Sequence, residues 1–169
     1  MLVSAVQKTP IGNIYLIADS GILIAAGFKS LNSLQNRLSP SDKLRKIEPI
    51  EKIPKISKLI DNYFEGRLDA LNLIQVRQPG AQFSQKVWKV MRSIPVGMTI
   101  SYAQLAKKAG SPAAFRAAGT ACGNNLIAPI IPCHRIIGSD GSLTGYAGGL
   151  WRKKWLLEHE NPTTQQSLF

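Results

Sequence analysis

The sequence predicts an α/β protein in two parts: a small N-terminal α/β domain with an antiparallel sheet over residues 1–78, and a C-terminal, mainly helical, winged helix-turn-helix domain over residues 79–160. Three observations carry this prediction. Short runs before residue 28 have strand composition and are split by turn residues. After residue 82 the apolar spacing becomes helical. Between the two regimes, Arg77-Gln78-Pro79-Gly80-Ala81 has turn chemistry. Residues 161–169 are expected to form a mobile tail.

The elements follow in order. Leu2 to Thr9, Asn13 to Ala18 and Ile22 to Phe28 read as strands, separated by turns at Pro10-Ile11-Gly12-Asn13 and Asp19-Ser20-Gly21. Ser30 to Leu38 reads as a short helix, and Ser39 to Pro54, charged and broken by Pro40, Pro49 and Pro54, as an exposed connection. Ile56, Leu59, Ile60, Tyr63 and Phe64 fall at i, i+3, i+4, i+7 and i+8, an amphipathic helix that stops at Gly66. Leu71 to Val76 reads as a further strand. In the second part, Phe83, Val87, Val90, Met91 and Ile94 trace a helical face that ends at Pro95 and Gly97. Ser101 with Gln104 predicts a capping box on a helix closing at Gly110. Ser111-Pro112 predicts the start of the next helix, through Phe115, Arg116, Ala117 and Ala118 towards Gly123. Two short helices joined by a tight Gly-containing turn make the helix-turn-helix pattern. The second is lined with small residues, which allow close approach to a neighbouring helix or to a DNA groove. A final helix runs from Leu150 to His159, with Trp155, Leu156 and Leu157 as packing residues, and reaches Glu160.

Composition narrows the function classes. No apolar run reaches the roughly 18 residues of a membrane helix, and the N-terminal ten residues lack a charged region followed by an apolar core, so a cytoplasmic protein with no membrane contact is expected. Two Cys and two His supply neither a disulfide framework nor a zinc-finger ligand set, so no metal is expected. The net charge of +11 is concentrated in the second half: residues 1–80 hold 11 Lys/Arg against 7 Asp/Glu, and residues 81–169 hold 10 against 3. That balance suits a polyanionic partner.

The chemistry is concentrated in Ile130-Ile131-Pro132-Cys133-His134-Arg135-Ile136-Ile137. A lone cysteine is most often a small buried hydrophobe. Here His134 can act as a base, and Arg135 adds positive charge favouring thiolate over thiol. Adjacent side chains of a regular strand point to opposite faces, so either Pro132 bends the chain or a water bridges Cys133 and His134. Gly145-Tyr146-Ala147-Gly148-Gly149 is a loop that lets a flat ligand lie close to backbone. Glu160 is placed to orient a histidine, and Cys122, on the small-residue helix, reads as packing.

These segments resemble the O6-alkylguanine-DNA alkyltransferases. The resemblance rests on Ile131-Pro132-Cys133-His134-Arg135, on Tyr146-Ala147-Gly148-Gly149 with Leu156-Leu157 and Glu160, on Pro95, Gly97 and Ser101-Tyr102, and on Arg116-Ala117 with Asn125, in order across residues 82–160. The first 80 residues match the family's variable N-terminal domain only in general architecture. Ile136 stands where the family often has Val, and the zinc ligands that some members carry in the N-terminal half are absent.

The resemblance implies a stoichiometric, cofactor-free transfer of the alkyl group from O6-alkylguanine in double-stranded DNA to Cys133, with O4-methylthymine a further candidate substrate and a monomer as the working form. It implies that the damaged base is flipped out of the stack. Arg116 then fills the gap in the duplex, Tyr102 rotates the 3′-phosphate and donates to guanine N3, and Tyr146, Ala147 and Gly148 receive the base. Cys133 is ionised through a water by His134 held on Glu160, and Asn125 supports the cysteine turn. Arg116, Ala117, Tyr102 and Arg135 are expected on the DNA side. Other readings remain open on the residues alone. A winged helix-turn-helix regulator explains the basic helices and not Cys-His-Arg. A cysteine hydrolase explains Cys133 and His134 and not the charge split or Arg116. An alkyltransferase-like lesion binder lacks the cysteine, so Cys133 argues against it. Finally, Gln165-Gln166-Ser167-Leu168-Phe169 resembles the peptide with which bacterial replication and repair proteins dock on the sliding clamp, Gln165 bonding at the rim and Leu168 and Phe169 filling an apolar pocket.

Overall fold

A computed structural model describes residues 1–161. The chain divides into two compact units, Met1–Pro79 with Leu126–Ile130, and Gly80–Asn125 with the chain from Ile131 onward. The short segment Leu126–Ile130 therefore joins the first unit although it lies inside residues 79–160.

In the first unit, β1 (Leu2–Thr9), β2 (Gly12–Asp19) and β3 (Ile22–Gly27) form an antiparallel meander. Adjacent residues of a strand face opposite sides, and that parity assigns the layers. Ser4 pairs with Ile17, so Leu2 and Ile17 share one face, where they pack with Leu34 and Leu38 around α1 (Leu31–Gln35). Gln7 lies on the opposite face and bonds Ser57 and Asp61 of α3 (Ile56–Phe64), whose Ile56, Ile60 and Tyr63 are buried. With both faces covered, Leu23 to Ala26 of β3 are buried without alternation.

Two expectations in this unit are corrected. The connection from Ser39 to Pro54 is not simply exposed: it contains α2 (Pro40–Lys43) and β4 (Ile47–Pro49), which adds to β1 in parallel and makes the sheet mixed, in the order β3-β2-β1-β4. Pro49 is compatible with that position because an edge strand leaves one row of N–H groups unused. The expected strand Leu71 to Val76 is instead a 3-10 turn, Ala70–Leu73, followed by a single bridge from Val76 to Leu23. Leu71 and Ile74 are buried while Leu73 is 69% exposed, a spacing of three rather than two. Gln75, Arg77 and Leu126 bond Leu23 and Ala26, covering the outer edge of β3.

The second unit packs α4 (Gln82–Ser93), α5 (Tyr102–Lys108) and α6 (Phe115–Gly123) together. The buried face of α4 is Val87, Trp88 and Met91, with Trp88 in place of the expected Val90. The indole N–H donates to the Ala121 carbonyl at 2.9 Å. Ser101 and Gln104 form the expected capping box, each side chain accepting from the other's backbone N–H. At the other end of α5, Gly110 at φ +91° allows two closing bonds, Gly110 N–H to Lys107 and Ser111 N–H to Ala106. Ser111 thus finishes α5 rather than opening α6, and Ser111 to Ala114 form a turn, so α6 begins at Phe115. Ala118 and Ala121 of α6 face inward, whereas Arg116, Ala117 and Thr120 are exposed. The small β5 (Ile100–Ser101) pairs in parallel with β6 (Ile136–Ile137), and α7 (Leu150–Glu160) follows the Gly-rich loop. Among the described residues no helix is long and apolar enough to cross a membrane, and no group of three or more His, Cys, Asp or Glu is placed to hold a metal ion.

Candidate active site

Pro132 bends the chain, as the alternation argument requires of one of its two solutions. Its φ of −84° and ψ of 70° turn the backbone so that Cys133 N–H bonds the Ile131 carbonyl at 2.9 Å, an inverse γ-turn. Cys133–Arg135 then form one 3-10 turn. Asn125 Nδ2 donates to the same Ile131 carbonyl at 2.8 Å, tying together the points where the chain leaves and re-enters this unit.

His134 and Arg135 both reach Glu160 at the end of α7. His134 Nε2 lies 2.8 Å from Glu160 Oε2, Arg135 Nε donates to Oε1 at 2.8 Å, and Arg135 Nη2 donates to Oε2 at 3.0 Å. All three side chains are buried. Burial would push the Glu160 carboxyl up, but His134 and the hydrogen-bonded Arg135 guanidinium hold it well below the usual carboxylate range. The ionised carboxylate accepts, so in a neutral ring Nε2 carries the hydrogen and Nδ1 keeps its lone pair. Nδ1 and the Tyr146 hydroxyl are buried without a hydrogen-bond partner among the described residues, and the two rings meet edge-on at 6.4 Å. Cys133 itself is partly exposed. Burial pushes its thiol up, while the Asn125 side chain and the Lys153 ammonium pull the other way. A thiol beside an imidazole anchored on a carboxylate is an arrangement for moving a proton off sulfur.

The family model for the DNA-binding domain of 6-O-methylguanine DNA methyltransferase matches residues 82–162. The methylated-DNA-protein-cysteine methyltransferase of Shigella flexneri is 46% identical over 105 residues, 62% of this chain, and the chain spans 61% of that relative's length. The enzyme of the same name from Methanosarcina acetivorans is 36% identical over 156 residues, covering 92% of this chain and 96% of its own. The chain belongs to the methylated-DNA-protein-cysteine methyltransferase family. Its fold agrees: the crystal structure of Mycobacterium tuberculosis OGT in complex with DNA superposes with a TM-score of 0.80 at 33% identity, over 99% of each chain.

The structure places the residues singled out in the sequence in distinct surroundings. Cys133, His134, Glu160, Asn125 and Tyr146 belong to the cluster just described. Tyr102, the first residue of α5, bonds Thr144 through its hydroxyl at 2.8 Å, and burial raises its phenol so that it stays a donor at neutral pH. Arg116 and Ala117 sit exposed on the first turn of α6, Ala147 is exposed, and the Gly148 carbonyl accepts from Arg152 Nη1 at 2.8 Å. Cys122 packs its sulfur 3.8 Å from that of Met91, and burial pushes its thiol up to about 12.

Arg135 is a correction. It was expected on DNA and as the cation beside the thiol, yet it is 3% exposed, and its third bond, from Nη1, goes to the Ile94 carbonyl at 2.9 Å. All three of its guanidinium nitrogens bond inside the unit and the side chain is buried, so it is not presented to a phosphate. Lys153 supplies the cation instead. Its buried ammonium donates to the carbonyls of Ile136 at 2.6 Å and Thr144 at 3.2 Å, and burial lowers its pKa. The sequence carried a signal for it: Lys153, Leu156, Leu157 and Glu160 fall at i, i+3, i+4 and i+7, the buried stripe of α7. Trp155, expected in that stripe, lies beside it and stacks on His159 at 4.7 Å.

Proposed function

We propose that the chain repairs double-stranded DNA directly, moving the alkyl group from O6 of guanine irreversibly onto Cys133, one lesion per molecule. The observation that carries this reading is the buried His134–Glu160 pair, with His134 immediately following a partly exposed Cys133 in the same 3-10 turn. The solved relative bound to DNA supports a DNA substrate for this chain. In the proposed reaction the thiol proton moves to His134 Nδ1, relayed by water, because Nε2 is held by Glu160. The Cys133 Sγ–alkyl carbon bond forms as the carbon–O6 bond breaks. Tyr102 donates to guanine N3, so the departing base need not carry a full negative charge. Tyr146, Ala147 and Gly148 receive the extruded base, Arg116 and Ala117 enter the groove, and Asn125 holds the cysteine turn. The product is a thioether that no group of the site cleaves, so turnover ends there, without a cofactor.

We further read the protein as a cytoplasmic monomer acting on O6-alkylguanine, with O4-methylthymine as a second substrate. The docking peptide Gln165, Leu168 and Phe169 lies outside the described residues, so the sliding-clamp proposal rests on sequence alone. Intact mass after incubation with O6-methylguanine duplex tests the main reading. One added methyl, mapped to Cys133 and saturating at one lesion per protein, is expected. Multiple turnover, or labelling of Cys122 instead, refutes it.

A further inference from the structure

Residues 80–125 contain Lys86, Lys89, Arg92, Lys107, Lys108 and Arg116 and not one Asp or Glu. Solvated helical lysines commonly meet a carboxylate three or four residues away; in this stretch none is available. Lys86, Lys89 and Lys108 instead converge on one cleft of about 310 Å³ between α4 and the end of α5, lined also by Val90, Ser93 and Ala109. All three lysines are exposed, and none forms an ion pair with a carboxylate among the described residues.

The cleft is distinct from the helix starts that carry Tyr102 and Arg116. Trp88 and Met91 of α4 face α6 through the Ala121 carbonyl and the Cys122 sulfur. Lys86, Lys89, Val90 and Ser93 fall at i, i+3, i+4 and i+7, a stripe roughly 150° around α4 from its buried side. On α5, Lys108 lies about 9 Å along the axis from Tyr102 and about 120° around it. The α5 C-terminus, negative by its dipole, explains Lys107 and in part Lys108. It explains neither Lys86 nor Lys89, a like-charge i, i+3 pair that is unfavourable without an anion nearby.

We propose that the Lys86–Lys89–Lys108 cleft is a second DNA-binding face, gripping the phosphates of undamaged duplex independently of sequence and away from the lesion site. The proposal rests on the DNA-repair reading above. Its consequence is a protein that stays on duplex DNA by counterion release while the Tyr102 and Arg116 side engages and leaves successive base pairs.

The test is binding of the full chain and its K86Q/K89Q/K108Q variant to an undamaged duplex of several helical turns, by fluorescence anisotropy over a salt series. Each lost phosphate contact removes about 0.9 from the log–log salt slope, so a fall of about 2 to 3 is expected. Transfer from free O6-alkylguanine base to Cys133 should be unchanged, which reports an intact fold and site. If the triple variant does not fold, K86Q and K89Q singly should each lower the slope by about 1. An unchanged slope overturns the proposal. An unchanged slope with loss of binding to polyglutamate also overturns it and assigns the face to an acidic protein. A wild-type chain that transfers no alkyl group, yet whose salt slope falls in the variant, sinks the repair reading and leaves this face standing.

Discussion

Glu160 holds both the Arg135 guanidinium and the His134 imidazole, and its removal is felt by both. Glu160→Gln leaves the Arg135 guanidinium buried beside a neutral amide, and breaking a buried pair in this way costs about 3–5 kcal/mol. The same change frees His134 Nε2 from its anchor, so alkylation of Cys133 should slow; urea melts and methyl-transfer rates measure the two effects. The pH dependence has a definite sign. The folded carboxyl titrates well below its ordinary 4.5, so the unfolded chain takes up this proton first on acidification. Stability from Glu160 is complete above about pH 4.5 and is lost as pH falls further. Urea melts in acid should show that loss in the wild type and lack it in Glu160→Gln. Lys153 acts on the thiol through its charge. Lys153→Met keeps the length of the side chain but removes the ammonium that favours thiolate, so the pH profile of Cys133 alkylation should move to higher pH. It also strips the Ile136 and Thr144 carbonyls of their donor, at about 1–3 kcal/mol for each unsatisfied group. An unmoved profile in a folded variant would mean that Lys153 only fills space.

Elements position these groups through their ends. The turn after α4 meets the end of α7 at Gly97, whose φ is +85° and whose added Cβ would lie 3.3 Å from the Glu160 carbonyl oxygen. Asn161 Nδ2 donates to the Gly97 carbonyl at 3.0 Å, so the two segments are held in register. Gly97→Ala combines backbone strain with pressure on the residue that anchors His134. A loss of about 1–3 kcal/mol is expected, with slower transfer than in wild type measured on the folded fraction. Arg116, on the exposed first turn of α6, makes the complementary case. Arg116→Ala should impair transfer from duplex DNA more than transfer from the free alkylated base, because only the duplex leaves a gap to fill. Equal losses on the two substrates would place Arg116 in the chemistry or the fold.

At the scale of the whole molecule, each unit carries its own ionic arrangement. In the first, Asp19 and Asp42 bind Arg45 and Arg77 in a partly buried ring. The Arg45 bond holds the Asp19 carboxyl down to about 2. Its contribution to stability is therefore complete above the ordinary aspartate range and declines only as pH falls towards about 2. Carboxyl NMR titration should find Asp19 still ionised at pH 3, and Arg45→Met should return its midpoint towards the ordinary value. In the second unit the acids are only Asp140, Glu158 and Glu160, and residues 80–125 carry basic side chains with no Asp or Glu among them.

Periodicity and turn chemistry were enough to locate the meander, α3 and α5, because each of those elements is written locally: a two-residue turn at Ser20-Gly21, an i, i+3, i+4 stripe from Ile56, a capping box at Ser101 and Gln104. The Pro-Cys-His-Arg segment, with Tyr146 and Glu160, likewise pointed to the candidate site, since its residue types are chemically distinctive wherever they fold. Local sequence could not assign β4, the turn at Ala70–Leu73 or the late start of α6. In each case a partner distant in sequence, or a cap already used by the preceding helix, decided the outcome. The direction of Arg135 and the burial of Lys153 were of the same kind. By its own composition a cation belongs in water; only the folded chain, by bringing a carboxylate to Arg135 and backbone carbonyls to Lys153, offsets the loss of hydration and sets one to hold Glu160 and the other to act on Cys133.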